Sequence, residues 1–185
     1  DETYHYEMYR NSKVKAYFGD YMDRSLLFER IVGDIRYFAD LYLELRTSYK
    51  NEHLIFNKIL DQNQQYLLLL SAITRDDKER AAKIDGVAAK FDQFHTLLRL
   101  LNAFDSSFQR SIYRLNPMLR DKSLADIKPC FDRELIATLV ADGQLTEGQI
   151  SRADELFDYE RFKGVRNSAT NFSKYVLMRV DRYLS

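Results

Sequence analysis

An all-α fold, an irregular multi-helix bundle of about seven helices with no sheet, is what three properties of the 185-residue chain predict. Apolar residues recur by alternating threes and fours over long stretches, the spacing that lines up one face of a helix. Only six Gly and two Pro interrupt that pattern. No window sustains the strict alternation of a half-buried strand, and no internal repeat divides the chain.

The elements follow in order. Tyr6, Tyr9, Tyr17, Phe18 and Tyr21 mark a short amino-terminal helix ending around Gly19. Phe28, Ile31, Ile35, Phe38, Tyr42, Leu45 and Tyr49 form a heptad-like stripe, so a long helix of an antiparallel bundle is expected there. Residues 52–74 read as one further helix, and the all-round apolar run Leu67, Leu68, Leu69 and Leu70 makes it the expected central, most enclosed one. The charged residues 75–80 read as an unpacked connection. Ile84, Val87, Phe91, Phe94, Leu98 and Leu101 resume the period, which Phe104, Phe108, Ile112 and Leu115 continue past a kink at residues 105–107, until Asn116 and Pro117 stop it. Beyond that point the elements shorten. Ser123 can cap a turn leading to Pro129, residues 131–141 read as a helix closed by Gly143, and Thr146 to Gln149 have capping-box form ahead of a helix through Tyr159. A closing helix begins near Asn167. We expect one domain over residues 1–185, with a long-helix bundle in 1–117 and shorter helices in 118–185, long enough for a sizeable core.

Lys plus Arg and Asp plus Glu stand at 28 each, so no global field draws the chain to nucleic acid or to an anionic membrane. Residues 160–185 carry a local excess, with six basic and two acidic side chains, which is most simply a solvated helix face. The single cysteine, Cys130, rules out an internal disulfide and reads as a buried structural thiol. No apolar run reaches bilayer length and no signal peptide opens the sequence, so we expect a cytoplasmic protein without membrane contact. The residue at position 1 is not Met, from which we expect a piece of a longer chain.

Chemistry has few candidates. Glu2 and His5, and Asp92 and His95, each put a carboxylate one turn before an imidazole, the spacing of di-iron bundles, but such sites also require Glu in both motifs and two inward glutamates elsewhere. The simpler expectation is surface pairing, with His95 a boundary residue having one satisfied nitrogen. One Cys and three scattered His exclude a zinc finger. There is no glycine-rich phosphate loop, no Gly-x-Ser-x-Gly and no Cys–His pairing to argue for a nucleophile. We therefore expect no catalytic residue, no metal and no cofactor, and interaction through helix faces is what remains.

The closing stretch of residues 167–185 is the most informative. Phe172, Val176, Leu177, Val180, Tyr183 and Leu184 share an apolar arc, with Arg179 at its edge between Phe172 and Tyr175. A cation held there by packing requires a partner. Arg179 and Tyr175 are thus candidate structural anchors, and Lys174 and Arg182 on the polar side are candidate DNA contacts.

Three stretches together carry a family likeness: Phe38-Ala39-Asp40-Leu41-Tyr42-Leu43-Glu44-Leu45, then Gln65-Tyr66-Leu67-Leu68-Leu69-Leu70, then Lys174-Tyr175-Val176-Leu177-Met178-Arg179-Val180. With their order, they resemble the helical middle region of Gmr-type modification-dependent restriction endonucleases. In that family a ParB-like nucleotide-hydrolysing domain precedes this region and a His-Asn-His nuclease domain usually follows it. The family's closing helix reads Tyr-Ile-Leu, then Arg, an aliphatic residue and Glu; Tyr175, Val176, Leu177, Arg179 and Val180 match, and Asp181 stands for the acid. Two short look-alikes depart from the family pattern. Asp142-Gly143-Gln144 continues with Leu145 and Thr146 where the nucleotide-hydrolysing domain has Gln-Arg, and Glu52-His53-Leu54 runs into Ile55 and Phe56 within a helical pattern. The resemblance implies a noncatalytic connecting module of a bacterial restriction or phage-defence protein. Its partners would be other domains of the same polypeptide, with self-association and DNA contact through the basic tail as further options. The alternative class is a free-standing adaptor or regulator with an exposed apolar groove near the Tyr-rich amino terminus.

Overall fold

The computed structural model describes residues 24–48, 50–104, 106–156, 162 and 170–185. Among them are seven α-helices, one short 3-10 turn and no strand: α1 (Arg24–Thr47), α2 (Glu52–Ile59), α3 (Gln64–Ala72), α4 (Arg80–Leu100), α5 (Ser106–Met118), α6 (Leu124–Ala141), the 3-10 turn (Ala153–Leu156) and α7 (Thr170–Leu184). The fold is an all-α multi-helix bundle. The expected Tyr-rich first helix lies outside the described residues.

The chain divides into two compact units, Asp1–Leu41 and Tyr42–Ser185. In the first, the described part is the amino-terminal portion of α1, where Phe28 and Ile35 of the apolar stripe are exposed, as is Val32. In the second, helices on both sides of Pro117 share one core. Phe91 and Phe94 of α4 meet Phe108 of α5, and Phe94 meets Phe131 of α6, at ring-centroid distances of 6.1 to 6.3 Å. These four rings are buried at 0 to 2% exposure and form the centre of the unit.

The central helix is α4, which packs against α2, α3 and α6. This corrects the expectation for residues 52–74, which are two helices separated by a turn. Asp61 adopts φ 55°. The Gln62 amide donates to the Asn57 carbonyl at 2.9 Å and the Asp61 amide to the Lys58 carbonyl at 3.0 Å, the paired bonds of a Schellman stop. The leucine run is not enclosed on every side: Leu68 and Leu69 are fully buried, while Leu67 is exposed. The same stop ends α4, with Asn102 at φ 54° and the Ala103 amide on the Leu98 carbonyl at 2.8 Å. The break therefore spans residues 101–104 rather than a kink at 105–107.

Two further boundaries differ from expectation. Ser123 does cap a helix, its hydroxyl accepting from the Asp126 amide, but that helix runs without interruption through Pro129 to Ala141. Proline at its sixth position removes one ladder bond near the helix start, and burial of Ile127, Cys130 and Phe131 offsets the loss. The expected closure at Gly143 is present, with φ 71° and the Gln144 amide on the Leu139 carbonyl. Next, the Thr146 amide donates to Gln149 Oε1 as in a capping box, but Gly148 at φ 75° turns the chain away from a helix. In place of a helix to Tyr159, which lies outside the described residues, the 3-10 turn buries Ala153 and Leu156.

The charged connection 75–80 is also more structured than its composition suggests. Lys83 is buried and donates to Asp77 at 2.6 Å and to the Ala72 carbonyl at 3.0 Å. Asp77 in turn accepts from the backbone amides of Thr74 and Glu79, so a turn that reads as solvated is pinned by one buried ion pair.

Candidate functional site: a buried carboxylate under the closing helix

The described part of α7 starts at Thr170; the expected start at Asn167 lies outside the described residues. Its inward face is Phe172, Tyr175 and Arg179. Leu177, Val180, Tyr183 and Leu184, expected on the apolar arc, are exposed. The helix is thus rotated toward its polar edge. Phe172 and Tyr175 form a cluster with Phe56 of α2 and Leu60 at its carboxy-terminal cap, against which Leu100 and Val176 pack. Thr96 meets Tyr175 and Asp92 meets Arg179, so α7 runs antiparallel to α4.

Asp92 is the hub of this contact. It is 2% exposed and carries its charge into the interior of the unit. Three side chains from two helices converge on it: His53 of α2, whose Nδ1 lies 2.8 Å away, and, from α7, Arg179, whose Nη2 donates at 2.7 Å, and the Tyr175 hydroxyl. Since the Tyr175 proton goes to Asp92, the Thr96 hydroxyl at 3.1 Å must donate to the Tyr175 oxygen. Arg179 also reaches Glu52 at 3.5 Å and lies over the Phe56 ring at 4.5 Å.

Electrostatics follow from that geometry. Burial alone would raise the Asp92 carboxyl, but the hydrogen bonds from His53 and Tyr175 and the Arg179 charge outweigh it and hold the group below the usual carboxylate range. Burial first, then the neighbouring Asp92 charge, pushes the Tyr175 phenol up. Asp92 is an ionised acceptor, and Tyr175 is a neutral donor.

His95 is fully buried and belongs to a second chain of bonds, which corrects its expected boundary position; Asp92 likewise is buried and does not form a surface pair. The Ala88 carbonyl accepts from Asn57 Nδ2, which fixes the orientation of that amide. Asn57 Oδ1 must then accept from His95 Nε2 at 2.8 Å, which places the proton on Nε2 and leaves Nδ1 without a hydrogen-bond partner. Burial depresses the His95 pKa to about 4, with the Asp92 charge acting in the opposite direction. His95 is a neutral core residue at pH 7.

Of the candidates named from sequence, Arg179 and Tyr175 meet on Asp92. Arg182 lies outside the cluster and pairs with Glu52 at 3.3 Å, and Lys174 is exposed. Sequence reasoning missed His53 and the convergence on Asp92. The available signal was an acid on the apolar face of α4, one position after the core residue Phe91. Glu2 and His5 are outside the described residues, and among the described ones no group of three or more His, Cys, Asp or Glu is arranged to hold a metal ion. No described helix is long and apolar enough to cross a membrane.

Beside the cluster runs an open trough of about 660 Å³. Its floor is α4, through Gly86, Ala89, Gln93, Thr96 and Leu100, and Val176, Val180 and Tyr183 of α7 form one wall. No protein-family model, curated protein or solved structure matches the chain.

Proposed function

We propose that this chain is a noncatalytic helical connecting and interaction module, and that its setting is a bacterial restriction or phage-defence protein of the Gmr type. In that setting it couples a nucleotide-hydrolysing domain on one side to a nuclease domain on the other. The observation that carries the reading is the use made of Asp92. A buried acid that accepts from three donors on α2 and α7 is committed to holding the carboxy-terminal helix on the bundle. Arg179 and Tyr175 are the anchors in this reading. A helix docked through a buried ion pair transmits position along the chain, which is what a connector between two domains requires. The family setting rests on the wording of the three stretches quoted above.

The test is direct. Purified chain should unfold cooperatively, yet neither hydrolyse nucleoside triphosphates nor cleave modified or unmodified DNA with magnesium or manganese present. Metal-dependent nicking that co-purifies with the folded chain would sink the proposal. A free-standing adaptor is the alternative, and the open trough beside α7 is the observation that favours it. The reading frame around the coding segment separates the two, because only the connector is flanked by both catalytic domains.

A further inference from the structure

The floor of the trough is spaced like a helix-packing seam. Gly86, Ala89, Gln93, Thr96 and Leu100 follow one another by three, four, three and four, and all five are half-buried, open on one side. The seam extends about 21 Å, or four turns. The place of a Gly86 side chain is taken by Leu124, so the small size of the glycine serves the packing of α4 against α6. Ala89, one turn on, is the small residue that lines the trough and lets a second backbone approach closely. Val180 and Tyr183 of the wall formed by α7 are exposed. A three-four seam left open along one side is the surface that one packed helix presents to another, which points to a helix as its occupant.

Charge decides which helix. The residues lining the trough include Lys90 of α4, Lys128 of α6 and Arg179 of α7, one cation from each surrounding helix. The single carboxylate among the described lining residues is Asp92, which is buried and taken up by its three donors. Lys90 shares Asp132 at 2.7 Å, whereas Lys128 is exposed and has no ionic partner among the described residues.

We propose that this trough docks an amphipathic helix with acidic flanks, supplied by a partner protein or domain. The helix would complete a four-helix arrangement with α4, α6 and α7. This deepens the interaction-module reading and rests on it. Small apolar residues of the incoming helix pack on Ala89, and glutamates or aspartates along its edges meet Lys128 and compete with Asp132 for Lys90.

The probe is a synthetic 21-residue helix-forming peptide with Leu and Ala at three-four spacing and Glu at the flanking positions, alongside a counterpart with Lys in place of every Glu. The full chain, labelled with nitrogen-15, is titrated with each at low salt. The acidic peptide should bind at least tenfold more tightly and shift the amides of Gly86, Ala89, Gln93 and Val180. The paired change Lys90→Glu with Lys128→Glu should invert the preference between the peptides. Ala89→Trp, which fills the trough, should abolish binding with an unchanged circular dichroism spectrum; if that variant misfolds, the charge-inverted pair carries the test. Equal binding of the two peptides, binding of neither, or shifts confined to other surfaces would overturn the proposal. So would concentration-dependent dimerisation that buries Val180 and Tyr183 without peptide, since a second copy would then be the occupant. Any of these results leaves the noncatalytic reading intact, while DNA nicking by the chain would remove that reading without affecting a measured peptide preference.

Discussion

Helix α4 has two polar faces that behave in opposite ways. On the inner one, Asp92 and His95 are sealed against α2 and α7, and Asp92 is fully engaged. On the outer one, Gln93 lies along an open seam only one residue from Asp92, and Thr96 stands between the two, lining the seam while its hydroxyl donates to Tyr175. The difference teaches that polarity inside a helical stripe is not one signal. A carboxylate that finds three donors becomes a lock, because leaving it unpaired in the interior would be far more costly than assembling its partners. A glutamine at the rim is half-buried, accepts from Lys90 at 3.0 Å and lines the open trough.

The sharpest way to break this contrast is Asp92→Leu, which strands His53, Tyr175 and Arg179. We expect a loss of about 3 to 5 kcal/mol in urea unfolding, with α7 released first in hydrogen exchange. Asp92→Asn keeps the shape with one acceptor oxygen and should lose less.

Acid should reveal the inner face next. His95 has an ordinary value of 6.5 and sits at about 4 in the fold. Between those values the unfolded chain holds a proton that the folded chain does not, so stability falls as pH drops from about 6.5 toward 4, by about 3 kcal/mol in total. Asp92 adds to this only further down, because a lowered carboxyl keeps its stabilising charge until pH falls through its folded value. The pH dependence of the urea midpoint measures the slope, and His95→Gln should flatten it.

Arg179→Met removes one donor of the three and keeps the packing over Phe56, so a loss of about 2 kcal/mol is expected, smaller than for the hub itself. On the outer face, Gln93→Ala should move stability by no more than about 0.5 kcal/mol. An effect as large as that of Arg179→Met would mean that the two faces are one network. Lys174→Glu with Arg182→Glu tests the basic tail. Any DNA affinity should be slight, weaken steeply with salt and vanish in this variant; salt-independent binding would point to another surface.

Much of the bundle was legible because periodicity is a property of consecutive residues. The heptad spacing of Ile84 to Leu101 announces α4 whatever surrounds it. The missed boundaries have a shared cause. Asp61 and Asn102 end helices through the left-handed conformation, and a search for Gly and Pro passes over them, although Asp and Asn are the non-glycine residues that best tolerate it. Gly143, stopping α6 by the same bonds, was visible. At the site, the sequence placed Arg179 at the border of the apolar arc and required a partner for it, but named no partner.

The chain alone therefore determines that it is helical, roughly where the helices run, and that Arg179 must be paired, because propensity, period and desolvation act on each residue locally. Only the tertiary structure decides that the partner is Asp92, that His53 joins it from 39 positions away, and that α7 turns its Tyr175 and Arg179 edge inward. Those choices depend on which faces meet across long sequence separations. An unmatched charge in the interior outweighs the burial of a few more leucines on α7, so the polar edge faces in and the leucines face out.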